Sequence, residues 1–169
     1  MILSPGRASA LLLSLFFALL ASTVEAACTD SPSPGVVWTR CLLNERDLRG
    51  VTLKDAVLRG SSFIRADLSG ADLSGADGRS AKFVSARLET TRFAGADLKE
   101  ADFTSADMTG ADLRNADLSD ARFYKTVLRD ADLTGARLNE ADILRADFSG
   151  ALWTDGKTRC AEGSIGLCR

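Results

Sequence analysis

Ala66-Asp67-Leu68-Ser69-Gly70 is followed without a gap by Ala71-Asp72-Leu73-Ser74-Gly75, and Ala116-Asp117-Leu118-Ser119-Asp120 keeps the same phase further on. Take the large apolar residue as the centre of each unit. The phase then runs outward from Leu48 to Trp153 as 22 consecutive units without a slip, and among the centres only Gly78 is not large and apolar. Alanine stands two places before the centre in 17 of these units, the exceptions being Arg46, Val51, Ser61, Thr91 and Thr126. Aspartate stands one place before the centre in 12, so three of every five positions carry a residue-type preference.

A period of five suits neither regular element. On a helix, five residues turn the chain by about 500°, so successive leucines would spiral around the axis. On a strand the same period alternates faces and would expose half of them. A chain that bends every five residues points each centre and its small neighbour inward. Stacked turns then bury a continuous core that no single unit could bury.

This pattern resembles the pentapeptide-repeat family, whose units read A-[DN]-L-x-x. The resemblance covers residues 46–155. It implies an all-β fold, a right-handed quadrilateral β-helix with one unit per side and about 20 residues per coil. The 22 units then form about five and a half coils, a rod roughly 26 Å long at about 4.8 Å per coil.

The domain reading is a signal peptide over 1–26, an N-terminal cap over 27–45, the β-helix over 46–155 and a C-terminal cap over 156–169. Arg7, the apolar run Ala10 to Leu20, and the small residues Val24 and Ala26 read as a secretory signal cut after Ala26. The run is shorter than the about 20 residues a membrane span needs. An uncleaved anchor, or lipidation at Cys28, are the alternatives, and Glu25 argues against the second. Export makes disulfides the expected state of Cys28, Cys41, Cys160 and Cys168. A bridge between the two ends would span roughly 26 Å, whereas bridged Cα atoms lie within about 7 Å. The expected pairs are therefore Cys28 with Cys41 and Cys160 with Cys168, with Trp38 covering the first coil and Trp153 the last.

If four units make a coil, residues 20 apart stack on one side. One inner column then reads Phe63, Phe83, Phe103, Phe123, Ile143. The residue after each centre faces out. On three sides this outer column is mostly polar, for example Arg59, Arg79, Lys99, Ser119, Asn139. On the fourth it reads Ile64, Val84, Thr104, Tyr124, Leu144, bordered by Arg65, Lys125 and Arg145. A continuous apolar stripe holding the chain's one tyrosine is a candidate protein interface. The competing reading is that β-branched and aromatic residues simply suit strand positions. At Gly78 the expectation is a local cavity or a backbone adjustment.

The chain has no histidine, which removes the commonest general base and metal ligand. With both disulfides formed no thiol is left for nucleophilic work, so we expect no enzyme, no cofactor and no catalytic or metal residue. Some pentapeptide-repeat proteins mimic duplex DNA and bind topoisomerases, a role that needs a strongly acidic rod. Here the net charge is −2, and the leader removes only Arg7 and Glu25 from the balance. The columns Asp77, Asp97, Asp117 raise a weak cation-binding alternative. The reading that fits best is a structural or protein-interaction module in the periplasm or secreted. It would associate with a protein partner or with itself through the apolar column, with no nucleic acid and no transmembrane segment in the mature chain.

Overall fold

The computed structural model describes residues 28–169, so the signal peptide expected over 1–26 and its expected cleavage after Ala26 lie outside the described residues. In each unit the residue two before the centre and the centre itself point inward, the residue between them points out, and two residues then turn the corner. The turn closes when the N–H of the next unit's first residue donates to the centre's carbonyl, as from Ala71 to Leu68 at 2.9 Å. From Arg40 to Gly150 the second turn residue has positive φ at every corner, between 54° and 73°. That is the signature of a type II turn. Side chains in this left-handed region cost about 1 kcal/mol each, and the ladders on either side hold them there.

Residues 20 apart pair in parallel register, Asp67 with Arg87 and Asp72 with Arg92, so four units complete a coil. The β structure consists of these single-residue bridges, because two residues of every five are spent in a turn. Three of the five backbone N–H groups in a unit reach a neighbouring coil: Leu68 to Arg87 at 2.8 Å, Asp67 to Arg46 at 3.0 Å and Gly70 to Glu89 at 2.8 Å. A fourth closes the turn. The fifth, on the residue after the centre, has no backbone partner in this scheme. The aspartate before the centre supplies one: Ser69 N–H donates to Asp67 Oδ1 at 3.1 Å, and Thr104 N–H to Asp102 Oδ1 at 2.9 Å. Ala-Asp-Leu therefore recurs for three separate reasons. Alanine fits the narrow wall, aspartate satisfies the leftover amide, and leucine fills the core. Where Ser62 replaces aspartate, Asn44 of the preceding coil accepts the Ile64 N–H at 3.0 Å.

The centres form four inner columns. The phenylalanines stack, with Phe63–Phe83 centroids 5.0 Å apart and the Phe83–Phe103 and Phe103–Phe123 centroids 5.1 Å apart. Phe93, from the facing wall, meets Phe83 and Phe103 edge-on at 5.9 and 6.0 Å. Gly78 does not leave a void: Leu98 Cδ2 lies 2.8 Å from where a Cβ at 78 would stand. The polar residues that replace alanine in the wall are satisfied, Thr91 Oγ1 donating to Leu68 O at 2.9 Å and Thr126 Oγ1 to Phe103 O at 2.7 Å.

At the N-terminus the coil geometry begins at Val36, two units upstream of Arg46, through residues that sequence alone assigns to the cap. Val37 pairs with Val57 and Leu42 with Ser62. Trp38 and Leu43 are inward centres, and Cys41 takes the position that alanine holds elsewhere. Cys41 bonds Cys28 with a Cα–Cα distance of 5.5 Å, and Cys160 bonds Cys168 at 4.9 Å. After Asp155 the chain doubles back. Leu152 pairs antiparallel with Arg159 and Asp147 with Ile165. This segment covers the open edge of the last coil, which would otherwise offer unpaired backbone to other chains. Trp153 is only partly buried there, edge-on to Phe148 at 5.2 Å. No helix among the described residues is long and apolar enough to cross a membrane.

Candidate functional site

Three sides of the rod are occupied by their own ion pairs. On the side whose inner column is Leu48 to Phe148, Arg87 bridges to Asp67 at 3.2 Å and Arg129 to Asp147 at 2.6 Å. On the next, Arg92 reaches Asp72 at 3.0 Å and Arg114 reaches Asp112 at 2.6 Å. The third side carries a continuous ladder. Arg59 Nε donates to Asp77 at 2.6 Å, Arg79 binds Asp77 at 2.9 Å and reaches Asp97 at 3.7 Å, and Lys99 reaches Asp97 at 3.7 Å and Asp117 at 2.9 Å. Arg137 closes it on Asp117 at 2.7 Å. Guanidinium and ammonium groups thus sit between the carboxylates of the column considered above for a cation.

The ladder holds its carboxylates ionised. Burial raises the pKa of Asp77, but hydrogen bonds from Arg79 and Arg59 outweigh it and bring the group to about 2. Asp117 is opposed by burial in the same way, and hydrogen bonds from Arg137, Lys99 and Ser119 hold it below the usual carboxylate range. Its bases respond in the other direction, the Asp117 carboxylate raising both Lys99 and Arg137. An open cleft of about 690 Å³ runs beside this ladder, with Arg40, Arg59, Arg79, Lys99 and Glu100 among its walls.

The fourth side, over the phenylalanine column, is different. Among the described residues its own ion pairs are two, Arg122 with Asp102 at 3.5 Å and, at one corner, Arg65 with Glu45. The residues after its centres form the stripe Ile64, Val84, Thr104, Tyr124, Leu144. Neighbouring coils half-bury the first four, while Leu144 is 61% exposed. The five lie on one face because five and twenty residues are the two periods of the fold. Tyr124 is held between two cations, Lys125 Nζ at 5.3 Å and Arg145 at 5.9 Å from the ring centroid. Arg145 also donates to the Tyr124 hydroxyl at 3.4 Å. Cations over an aromatic face restrain the ring at little cost.

Sequence reasoning missed Leu42, which lies on the same side as the stripe and is 80% exposed. Its place becomes visible once the register is carried back to Val36, since Leu42 stands 20 residues before Ser62. The arrangement offers apolar contact, a positioned tyrosine and bordering charges. On the other sides, ion pairs join charged groups along and between coils.

Comparison with known proteins agrees with this reading of the repeat. The family model for pentapeptide repeats matches residues 39–77, 81–120 and 116–152. Among solved structures, the chain is similar to HetL, a pentapeptide-repeat protein involved in heterocyst differentiation regulation from the cyanobacterium Nostoc sp. strain PCC 7120. Identity is 30% over 72% of this chain and 67% of that one, with a TM-score of 0.49. It is also similar to a pentapeptide-repeat protein of the Arabidopsis thaliana thylakoid lumen, 28% identical over 67% of this chain and 72% of that one, TM-score 0.37. QnrB1, a plasmid-mediated fluoroquinolone resistance protein, is 23% identical over 68% and 70%, TM-score 0.42. No curated protein matches the chain in sequence. With about two thirds of its residues inside the family model and the five-residue register unbroken across them, the chain belongs to the pentapeptide-repeat family.

Proposed function

We propose that this chain is an exported, non-enzymatic interaction module, and that Ile64, Val84, Thr104, Tyr124 and Leu144 form its contact surface. One observation carries this reading. Ion pairs run along three sides, whereas on the fourth the outer column is apolar and turned outward. Burying an apolar column against a partner removes it from water without breaking ion pairs. Export is supported by the leader pattern of residues 1–26, and the two disulfides fit an oxidising compartment such as the periplasm. The near-neutral charge and the interleaved arginines do not fit a DNA-like acidic rod.

A photo-crosslinking residue placed at Val84, in full-length chain expressed with its own leader, tests the surface. Crosslinks from Val84 that Tyr124→Asp removes, and that the same probe at Ser74 on another side does not make, support the reading. Equal crosslinking from both sides, or crosslinks indifferent to Tyr124→Asp, overturn it. The mass of the processed chain checks export, with Ala27 expected at its N-terminus.

A further inference from the structure

The charges around the fourth side are self-complementary when the rod is reversed. Arg40 and Glu140 occupy the same corner column, five coils apart, and both are exposed. Neither side chain has an ion-pair or hydrogen-bond partner among the described residues. At about 4.8 Å per coil they are about 24 Å apart, three times the Debye length of about 8 Å at physiological salt. They do not interact within one molecule. On the opposite corner of the same side, Glu45 and Arg145 are also five coils apart, Glu45 paired with Arg65 and Arg145 set against Tyr124. Lys82 and Asp102 stand in adjacent coils of the column between those corners.

We propose that two copies of this chain associate through their fourth sides as an antiparallel dimer, about a two-fold axis that crosses the rod between Val84 and Thr104. This rests on the fourth side being the contact surface. Such an axis lays each column on the same column of the partner copy and reverses its order. Ile64 then meets Tyr124 and Val84 meets Thr104, so these four cover one another, while Leu144 meets Asn44 at the end of the column. Arg40 meets Glu140, Glu45 meets Arg145 and Lys82 meets Asp102, each contact occurring twice by symmetry.

The charges also select against the alternatives. A shift by one coil toward the C-terminal end places Arg65 on Arg145, Lys82 on Arg122 and Asp102 on its own copy, and the opposite shift places Lys82 on its own copy and Tyr124 on Asn44. A two-fold axis along the rod places the charged column holding Lys82 and Asp102 on the apolar column. In the proposed register one like-charged pair remains, Arg65 with Lys125, and Glu45, which meets Arg145, also ion-pairs with Arg65 of its own chain.

The test is a charge-swap cycle, read by sedimentation velocity on the processed, oxidised protein. Arg40→Glu and Glu140→Arg each turn two attractions into repulsions and are expected to weaken dimerisation by about tenfold. The double variant Arg40→Glu/Glu140→Arg restores wild-type affinity, and Tyr124→Asp leaves only monomer. Recovery in the double variant cannot come from within one chain, given the separation of the two residues. A wild-type protein that stays monomeric at its highest soluble concentration overturns the proposal, as does a dimer indifferent to the single swaps or not recovered by the double. A monomer whose Val84 probe still captures a different protein in a Tyr124-dependent way removes the second copy but keeps the contact surface. Loss of both signals removes both.

Discussion

The side-chain amide of Asn115 lies over Gly135, one coil further on, in the space that a Cβ at residue 135 would take. Both residues sit at a left-handed corner, with φ of 57° and 71°. Asp130 stands over Gly150 and Asp55 over Gly75 in the same manner. At these three corners the Asx side chain takes the room of a Cβ on the next coil, and glycine stands there; over Asp120 the stacked corner is Glu140 instead. Gly95 also has a φ of 69°, but a Cβ there would meet nothing within 4 Å. Gly95→Ala is expected to cost about 1 kcal/mol from backbone strain alone. Gly135→Ala adds the displacement of Asn115, about 1 kcal/mol more, and Asn115→Gly in that background recovers the added part. Urea unfolding midpoints measure all three. Equal midpoints for the two alanine variants would mean that Asn115 swings aside freely.

The five-residue period made the inward centres legible, because burial of Leu68, Phe83 and their equivalents leaves a repeat in residue size. The column of stacked rings followed once 20 residues were assigned to a coil, a number taken from the family. The first two units escaped notice. Val36-Val37-Trp38 and Cys41-Leu42-Leu43 carry neither alanine nor aspartate at the expected places, and the cysteine drew attention to the disulfide rather than to the wall position it fills. The role of the aspartates was also hidden. Recurrence shows that Asp67 or Asp102 is wanted, but the unpaired amide two residues on is visible only in the ladder of hydrogen bonds. The stripe from Ile64 to Leu144 was readable as a column, whereas its isolation from the ion pairs of the other sides was not, since pairing depends on which side chains reach across coils.

Acid should loosen the third side before the core. Asp77 is held at about 2 and Asp117 is also lowered, against about 3.9 for an unfolded aspartate. Below neutrality the unfolded chain binds these protons first, so stability is fully present above about pH 5 and falls as pH drops toward 2. Asp117→Asn removes a carboxylate that accepts from Arg137 at 2.7 Å, Lys99 at 2.9 Å and Ser119 Oγ at 2.7 Å. The expected cost at pH 7 is about 2 kcal/mol, with a shallower loss between pH 5 and 2. Thermal unfolding across that range checks both, and parallel curves for wild type and variant would contradict the ladder's role.

Reducing the N-terminal disulfide should report through Trp38. Its side chain is 2% exposed, and the Cys28–Cys41 bridge ties residues 28–35 to the first coil. Cys28→Ser/Cys41→Ala keeps a small residue in the wall while releasing that segment. We expect red-shifted tryptophan emission and a loss of about 2–3 kcal/mol. The pair Cys160→Ser/Cys168→Ser acts at the other end, beside the partly exposed Trp153, and should shift emission less. An unchanged spectrum in the first variant would show that the coil covers Trp38 without the bridge.

Gly78 is not among the glycines with positive φ, so its reason is space rather than backbone freedom. Its coil also holds Phe83 and Phe93, whose rings meet edge-on, and Leu98 from the next coil reaches into the room that glycine leaves. A methyl group at 78 would collide with Leu98 Cδ2, at 2.8 Å from its ideal position. Gly78→Ala is therefore expected to cost about 1–3 kcal/mol as overpacking, and Leu98→Ala about 2–5 kcal/mol as a cavity. The two changes share one volume, so the double variant should cost less than the sum of the singles, by about 1 kcal/mol or more. Additive losses in a double-mutant cycle would mean that the coil relaxes around residue 78 independently of Leu98.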